Sequence, residues 1–484
     1  MTPVTQELND YFPAPQEHSR ERVAMSATSN LIDDAPLTAF HKKLTFFASG
    51  GPFIDGYALS IIGIALITMT PGLQLSTGEI GLIGAASLVG IFFGGAVFGW
   101  LTDKIGRHKM YIADLIALAV FSLLNGFATE VWQVVLCRFF LGMAIGADYP
   151  IATSLLAEFL PKKHRGRLLG ATFVVWAVGA AVAYAVGFLL RDMGPDAWRW
   201  MVASPAIFAI ITLLCRLGTP ESPRWLLSRG RREEADAVIK KVYGQQYGLA
   251  DIASDSEGPA KQGRFLDIFR GQFWKRTLFV SIFWTAQVIP LFAVYTFAPD
   301  LLASFGMHGD ANLYGGSFLI SMLFVVGGIP GLWLVERIGR RRLLLWSFGV
   351  IVVALAIPAF IPDVQAAPLF IALAVFALAS GASSFLEVVY PNELFPTEVR
   401  ATAVGFGTAI SRIGSAASTY LMPIAIVSFG AAGSLLIGAV ISLVGLVATF
   451  LLAPETANKS LSELTSRKNP GTPEPNKVTE GSLS

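Results

Sequence analysis

The chain alternates long uncharged stretches with short polar, mostly basic interruptions. Charge-free runs cover 80–102, 168–190, 277–299, 311–335, 343–362 and 364–386. Each is close to the ~20 residues that an α-helix needs to cross ~30 Å of hydrocarbon. A 42-residue run, 413–454, holds the end of one crossing and all of the next, with a turn expected near Gly430 and Gly433. The shorter runs 115–129 and 201–215 reach spanning length if their flanking charges extend to the interface. The pattern predicts twelve spans: 44–70, 78–101, 110–128, 132–157, 167–190, 199–216, 276–300, 313–335, 343–362, 366–390, 401–424 and 431–453. The fold class is all-α and polytopic.

The polar interruptions repeat. Asp103-Lys104-Ile105-Gly106-Arg107-His108-Lys109 follows span 2, and Glu336-Arg337-Ile338-Gly339-Arg340-Arg341-Arg342 follows span 8. Glu158-Phe159-Leu160-Pro161 with Arg165 follows span 4, and Glu393-Leu394-Phe395-Pro396 with Arg400 follows span 10. One six-helix plan is therefore used twice, giving two pseudo-symmetric halves of the kind found in secondary transporters. The expected divisions are an N-terminal segment 1–43, a first half 44–216, a central connection 217–275, a second half 276–453 and a tail 454–484. Ala235, Val238, Ile239 and Val242 recur at helical spacing, so a short amphipathic helix is expected over 231–243; a disordered linker is the alternative.

Composition agrees with a membrane protein: 54% of residues are apolar and 14% charged, against about a quarter charged in soluble domains. Placing both termini in the cytoplasm puts 32 of the 36 Lys and Arg on that side, Arg216 among them. Arg191 and Arg199 fall outside, and Arg138 and Arg412 fall inside spans. The net charge of +2 reflects this bias and implies no nucleic acid. Cys137 and Cys215 lie in spans, so no disulfide framework is expected. Residues 1–40 lack the apolar core of a cleavable signal peptide, and with the tail 466–484 they are expected to be disordered. No phosphate-binding loop or metal-ligand cluster is found. The reading is therefore not an enzyme, with no cofactor and no metal, acting as a monomer in the bilayer.

Over 44–455 the chain resembles the major facilitator superfamily. The carrying residues are Gly99-x-x-x-Asp103-Lys104-x-Gly106-Arg107-His108-Lys109, with sugar-porter-like signatures at Arg138-x-x-x-Gly142, Glu158-x6-Arg165-Gly166, Pro220-Glu221-Ser222-Pro223-Arg224-Trp225-Leu226 and Pro454-Glu455-Thr456. The runs Ser49–Tyr57 and Gly146-Ala147-Asp148-Tyr149-Pro150 look like those of enterobacterial inner-membrane metabolite carriers, a branch related to sugar porters and phosphate symporters. The resemblance implies that spans 1, 4, 7 and 10 line a central cavity. It also implies that Gly99, Asp103, Arg107, Glu158, Arg165, Glu336, Arg340, Glu393 and Arg400 act as a gate, with acids and bases pairing across the halves when the inner side is shut and glycines allowing close approach. Plain topogenesis explains the bases but not the four acids.

Ionisable groups inside a membrane are costly and need a reason. Counting ~1.5 Å per residue, Asp55 and Arg412 fall near the midplane and Asp148 slightly inward. Arg138 lies towards the outer end of span 4, and Glu387 about one turn from the inner end of span 10. Asp55 and Asp148 are expected to face one aqueous pathway. A low-dielectric setting favours the neutral form of a carboxyl, which a proton carrier needs. In sugar porters the span-1 acid follows Gly-Tyr and works with the span-4 arginine. Here Ala58 holds that place and Asp55 lies one turn earlier, so the resemblance implies a shifted Asp55–Arg138 pair. For Asp55 a structural helix–helix hydrogen bond is the other reading. For Asp148, which matches an Asp-Tyr-Pro of phosphate symporters, it is a structural role.

Much of the sugar-binding set is replaced. Gln287 is kept, but Pro290, Phe292, Thr296 and Phe297 stand at porter positions in span 7, Phe173 in span 5 and Val388 in span 10. Arg412 in Ser411-Arg412-Ile413-Gly414 resembles the span-11 arginine of aromatic-acid symporters. A guanidinium can clamp a carboxylate with two parallel hydrogen bonds; the competing reading is an ion pair with Asp148 or Asp55. Substrate contacts are expected from Arg412, Gln287, Tyr57, Tyr149, Phe173, Phe292 and Tyr295. These residues point to a proton-coupled symporter importing a small organic acid or related metabolite, with a sugar or polyol symporter as alternative. A drug exporter and a non-transporting sensor fit less well.

Overall fold

The computed structural model describes residues 36–249, 265–271, 273–307, 309–361, 366–395 and 397–457, and these contain helices and no strand. Spans 1 to 5 are the helices Ala39–Leu73, Thr77–Ile105, Arg107–Gly126, Val131–Phe159 and Lys162–Leu190. Span 6 comes in two pieces, Ala197–Ala203 and Pro205–Arg216, and Pro205 opens the second, where its missing N–H costs nothing. Span 7 is Phe273–Thr296, continued after Phe297 by Ala298–Ser304. Spans 8 and 9 are Asp310–Ile338 and Arg340–Phe360, and span 10 breaks at Phe385 into Ala366–Ser384 and Leu386–Leu394. Eleven stretches among the described residues are long and apolar enough to cross a bilayer. The last, Thr402–Leu452, has 51 residues and turns at Gly430, where φ is 72° and ψ 171°. At ~1.5 Å per residue it is over twice the hydrocarbon thickness, so it supplies spans 11 and 12.

The halves repeat one packing scheme. Span 1 lies on span 5 as 7 lies on 11, span 2 on span 4 as 8 on 10, and span 3 on span 6 as 9 on 12. Between halves, span 2 meets span 11 and span 5 meets span 8. The halves also touch on the face away from the central connection, the far face. There the Tyr184 hydroxyl donates to the Tyr295 carbonyl at 2.5 Å, and the backbones of Gly63 and Gly81 press against those of Thr296 and Tyr420.

On the near face, the expected amphipathic helix runs Arg232–Tyr243. It buries Ala235 and Ile239 and packs Val238 and Val242 against a buried apolar cluster that includes Leu44, Tyr111 and Ile151. The Tyr243 hydroxyl donates to the Phe159 carbonyl at 3.1 Å. On its outer side, Lys240 pairs with Asp236 at 2.6 Å and holds that carboxyl below its ordinary range. The helix is thus docked on the first half.

Candidate functional site

Where the halves meet, several polar groups lack a protein partner. The Arg412 guanidinium lies 5.5 Å from the Phe292 ring centroid, and its Nε is unpartnered. Glu387 accepts from Trp284 Nε1 at 2.9 Å through Oε2, leaving Oε1 alone. Gln287 Nε2 donates to the Ser383 hydroxyl at 3.0 Å, leaving its Oε1 alone. Asp55 is 3% exposed, and its Oδ1 has no donor. Both acids lie within electrostatic reach of Arg412. Each buried unmet group costs ~1–3 kcal/mol, so this concentration marks a place kept for something other than packing. Trp176 stands edge-on to Phe292 at 6.3 Å and forms an apolar wall with Phe324. Sequence reasoning missed Trp176, Trp284 and Ser383; neutral residues in apolar runs carry no signal until the helices are assembled.

Three of the expected site residues are placed otherwise. Tyr57 is fully buried, with its hydroxyl on Ser204 at 2.7 Å and its ring on Phe208, so it joins span 1 to span 6. Arg138 donates to the Ile83 carbonyl at 2.7 Å and makes no ion pair with Asp55 among the described residues. It thus ties span 4 to span 2. Asp148 does not face water. It is wholly buried and paired with Arg216 at 2.6 Å, not with Arg412. Arg216, expected at the interface, turns inward because it finds four partners there: Asp148, the carbonyls of Phe47 and Ala48, and the face of Tyr111 at 3.6 Å. Asp114, expected to reach outward too, is 4% exposed. Tyr295 is buried, with its ring against Phe324. The side chains of Tyr149 and Phe173 lie outside the described residues.

Comparison with known proteins decides the family. Residues 33–467 match the family described as "Sugar (and other) transporter". The chain belongs to this sugar (and other) transporter family. Its relatives include YaaU of Escherichia coli (strain K12), named for metabolite transport, at 41% identity over 90% of this chain and 97% of that protein. The inner membrane metabolite transport protein YgcS of the same strain is 38% identical over 89% of this chain and 95% of its own. The fold matches the Escherichia coli xylose transporter XylE, solved in a partially occluded inward open conformation, with a TM-score of 0.75 and 19% identity. That match covers 87% of this chain and all of XylE. The chain is therefore a sugar-porter-like transporter of the major facilitator superfamily.

In this transporter the repeated loops form two matching clusters on the near face. Glu221 accepts from the His108 backbone N–H at 3.1 Å, and Glu455 from those of Arg340 and Arg341 at 3.0 and 3.2 Å. Each carboxylate thereby caps the start of span 3 or span 9, where helix N–H groups lack partners. The glycine before each start, Gly106 at φ 114° or Gly339 at φ 90°, takes a backbone conformation that side chains disfavour and abuts its glutamate. These two loop glycines therefore serve a turn, whereas helix approach was expected of the motif's glycines. Glu393 pairs with Arg340 at 2.8 Å and accepts from Thr456 Oγ1 at 2.5 Å, so the pair lies within one half and does not cross to the other. Arg400 Nε donates to the Phe395 carbonyl at 3.0 Å. Glu336 is exposed and in no ion pair among the described residues. The side chains of Asp103, Arg107, Glu158 and Arg165, and the surroundings of Gly99, lie outside the described residues.

Proposed function

We propose that this transporter is a proton-coupled symporter that imports a small organic acid, or a related metabolite bearing a carboxylate, across the bacterial inner membrane. The observation that carries the reading is Arg412: a guanidinium inside the bundle, against an aromatic face, with Nε unclaimed and two unsaturated acids within reach. A planar fork of donors suits a carboxylate, and the Phe292–Trp176 wall suits an apolar body. Asp55 is the proton carrier. When it is protonated, Arg412 is released to the substrate; when it is ionised, the two attract each other and substrate leaves. Both termini and the docked helix 232–243 lie in the cytoplasm, following the Lys and Arg bias. The closed far face is then the periplasmic one. The working unit is a monomer and uses no cofactor.

A sugar or polyol symporter is the second reading. Gln287, Ser383 and Trp284 form a small hydrogen-bonding set of the type a hydroxylated ligand uses, and the fold neighbour XylE is a xylose transporter. Thermal-shift screening of the purified protein against organic acids, sugars and polyols separates the two, because a specific ligand stabilises the native state by mass action. Uptake of the best stabiliser into proteoliposomes should respond to an imposed pH gradient. Stabilisation by sugars alone would replace the first reading with the second.

A further inference from the structure

A second set of unmet groups lies nearer the near face than Asp55 does, and the proposed transport cycle leaves part of it unused. Arg216 binds Asp148 of span 4 and lies over Tyr111 of span 3, one turn before Asp114, which brings Asp114 and Asp148 within electrostatic reach of each other. Both are nearly or fully buried, and each has an Oδ2 with no donor. Asp148 Oδ1 and Asp114 Oδ1 are satisfied, by Arg216 at 2.6 Å and by the Leu115 N–H at 2.6 Å. The charged and titratable groups facing the pair are Asp55 from span 1, Tyr111 from span 3 and Arg216 from span 6. The packing is tight: a Cβ at Gly51 would run into Asp148 Oδ2 and Arg216 Nη2.

Two ionised carboxylates against one guanidinium would leave a net negative charge in a dry pocket. One proton held between them makes the cluster neutral and gives both Oδ2 atoms a hydrogen bond. Like charges in contact cannot both persist, so such a pair binds a proton jointly. A metal ion fits poorly, because Arg216 already occupies the cationic place and Gly51 closes the remaining space.

The order of depth is the second observation. Counted from the near-face end of each helix at ~1.5 Å per residue, Asp55 lies ~24 Å in, Asp148 ~17 Å and Asp114 ~11 Å. Asp55 and Asp148 are within electrostatic reach of each other. We propose that Asp114 and Asp148 hold one shared proton, locked by Arg216, and form the station through which the coupled proton leaves Asp55 for the near face. The step is a proton transfer only: when the near face opens the pair gives its shared proton to water, and the proton bound at Asp55 then replaces it. This rests on Asp55 as proton carrier and extends it by a residue, Asp114, that contacts no substrate.

Infrared difference spectroscopy on the purified full-length protein reads the proton directly, without transport. Wild type should show the C=O stretch of a buried protonated carboxyl that disappears as pH is raised. Asp114→Asn should lose this band, since the amide supplies the hydrogen bond, while Asp114→Glu should keep it. Asp55→Asn should also keep it. In proteoliposomes Asp114→Asn should lose proton-driven accumulation at least tenfold while retaining substrate exchange. A band that persists when Asp114→Asn is combined with Asp55→Asn, which removes the carrier's own carboxyl, overturns the proposal, as does a band displaced by sodium chloride but not by choline chloride, which would make this a cation site. If Asp55→Asn still accumulates substrate but the band behaves as expected, the pair stands and the Asp55 reading fails.

Discussion

The Glu455 carboxylate accepts the backbone N–H of Arg340, 115 residues earlier, at 3.0 Å. Glu221 makes the matching contact to His108 across 113 residues. In each half, the end of the sixth helix is fastened to the start of the third. Removing a capping acceptor costs ~0.5–2 kcal/mol. Glu455→Ala and Glu221→Ala should therefore each lower the thermal unfolding midpoint in detergent, by similar amounts. A drop in one variant only would break the symmetry of the two clusters.

Glu393 holds Arg340 from the side, with both side chains about a fifth to a quarter exposed. Partly solvated pairs are worth ~1 kcal/mol or less, so Glu393→Gln should be well tolerated in stability. It should shift the balance between open faces, read as altered cysteine labelling on the two sides. Substrate affinity should stay near wild type, since the cluster lies at the helix ends.

Arg412→Lys keeps the charge and removes the fork. For an acidic substrate, affinity should fall by ~1.5–3 kcal/mol, the worth of a charge-assisted hydrogen bond. Isothermal titration with the best ligand from the thermal screen measures it, and unchanged binding would assign Arg412 to structure.

Asp55→Asn should exchange substrate across proteoliposome membranes yet fail to accumulate it against a gradient. Exchange requires no net proton movement, whereas accumulation does. Equal loss of both activities would point to a structural role for Asp55.

Tyr57→Phe provides the contrast. Its hydroxyl is spent on Ser204, so the variant should lose ~0.5–1.5 kcal/mol of stability and leave the KM for uptake unchanged. A raised KM would return Tyr57 to the binding site.

The spans were legible because a charge-free run of bilayer length is rare outside a membrane. Asp55 and Arg412 were legible for the same reason, as single charges deep in apolar sequence. Asp114 and Arg216 were not. Each sits at the end of a short apolar run, where a charge ordinarily reaches for the interface, and nothing in the sequence says that these two ends turn inward onto Asp148. Likewise Pro-Glu-Ser and Pro-Glu-Thr could be recognised as motifs, but not as caps for helices more than a hundred residues away. Helical periodicity records which face is apolar; it does not record which neighbour that face meets, and Arg138 on the Ile83 carbonyl is one result of that silence.

The Tyr184–Tyr295 contact closes the far face with a hydroxyl that has no second acceptor among the described residues. Parting the halves there strands a donor and a carbonyl in a greasy seam unless water arrives as they separate. Wetting of that seam should therefore accompany each opening proposed above. Turnover should then slow with falling water activity: bulky osmolytes excluded from the crevice would keep the clasp shut without touching the substrate.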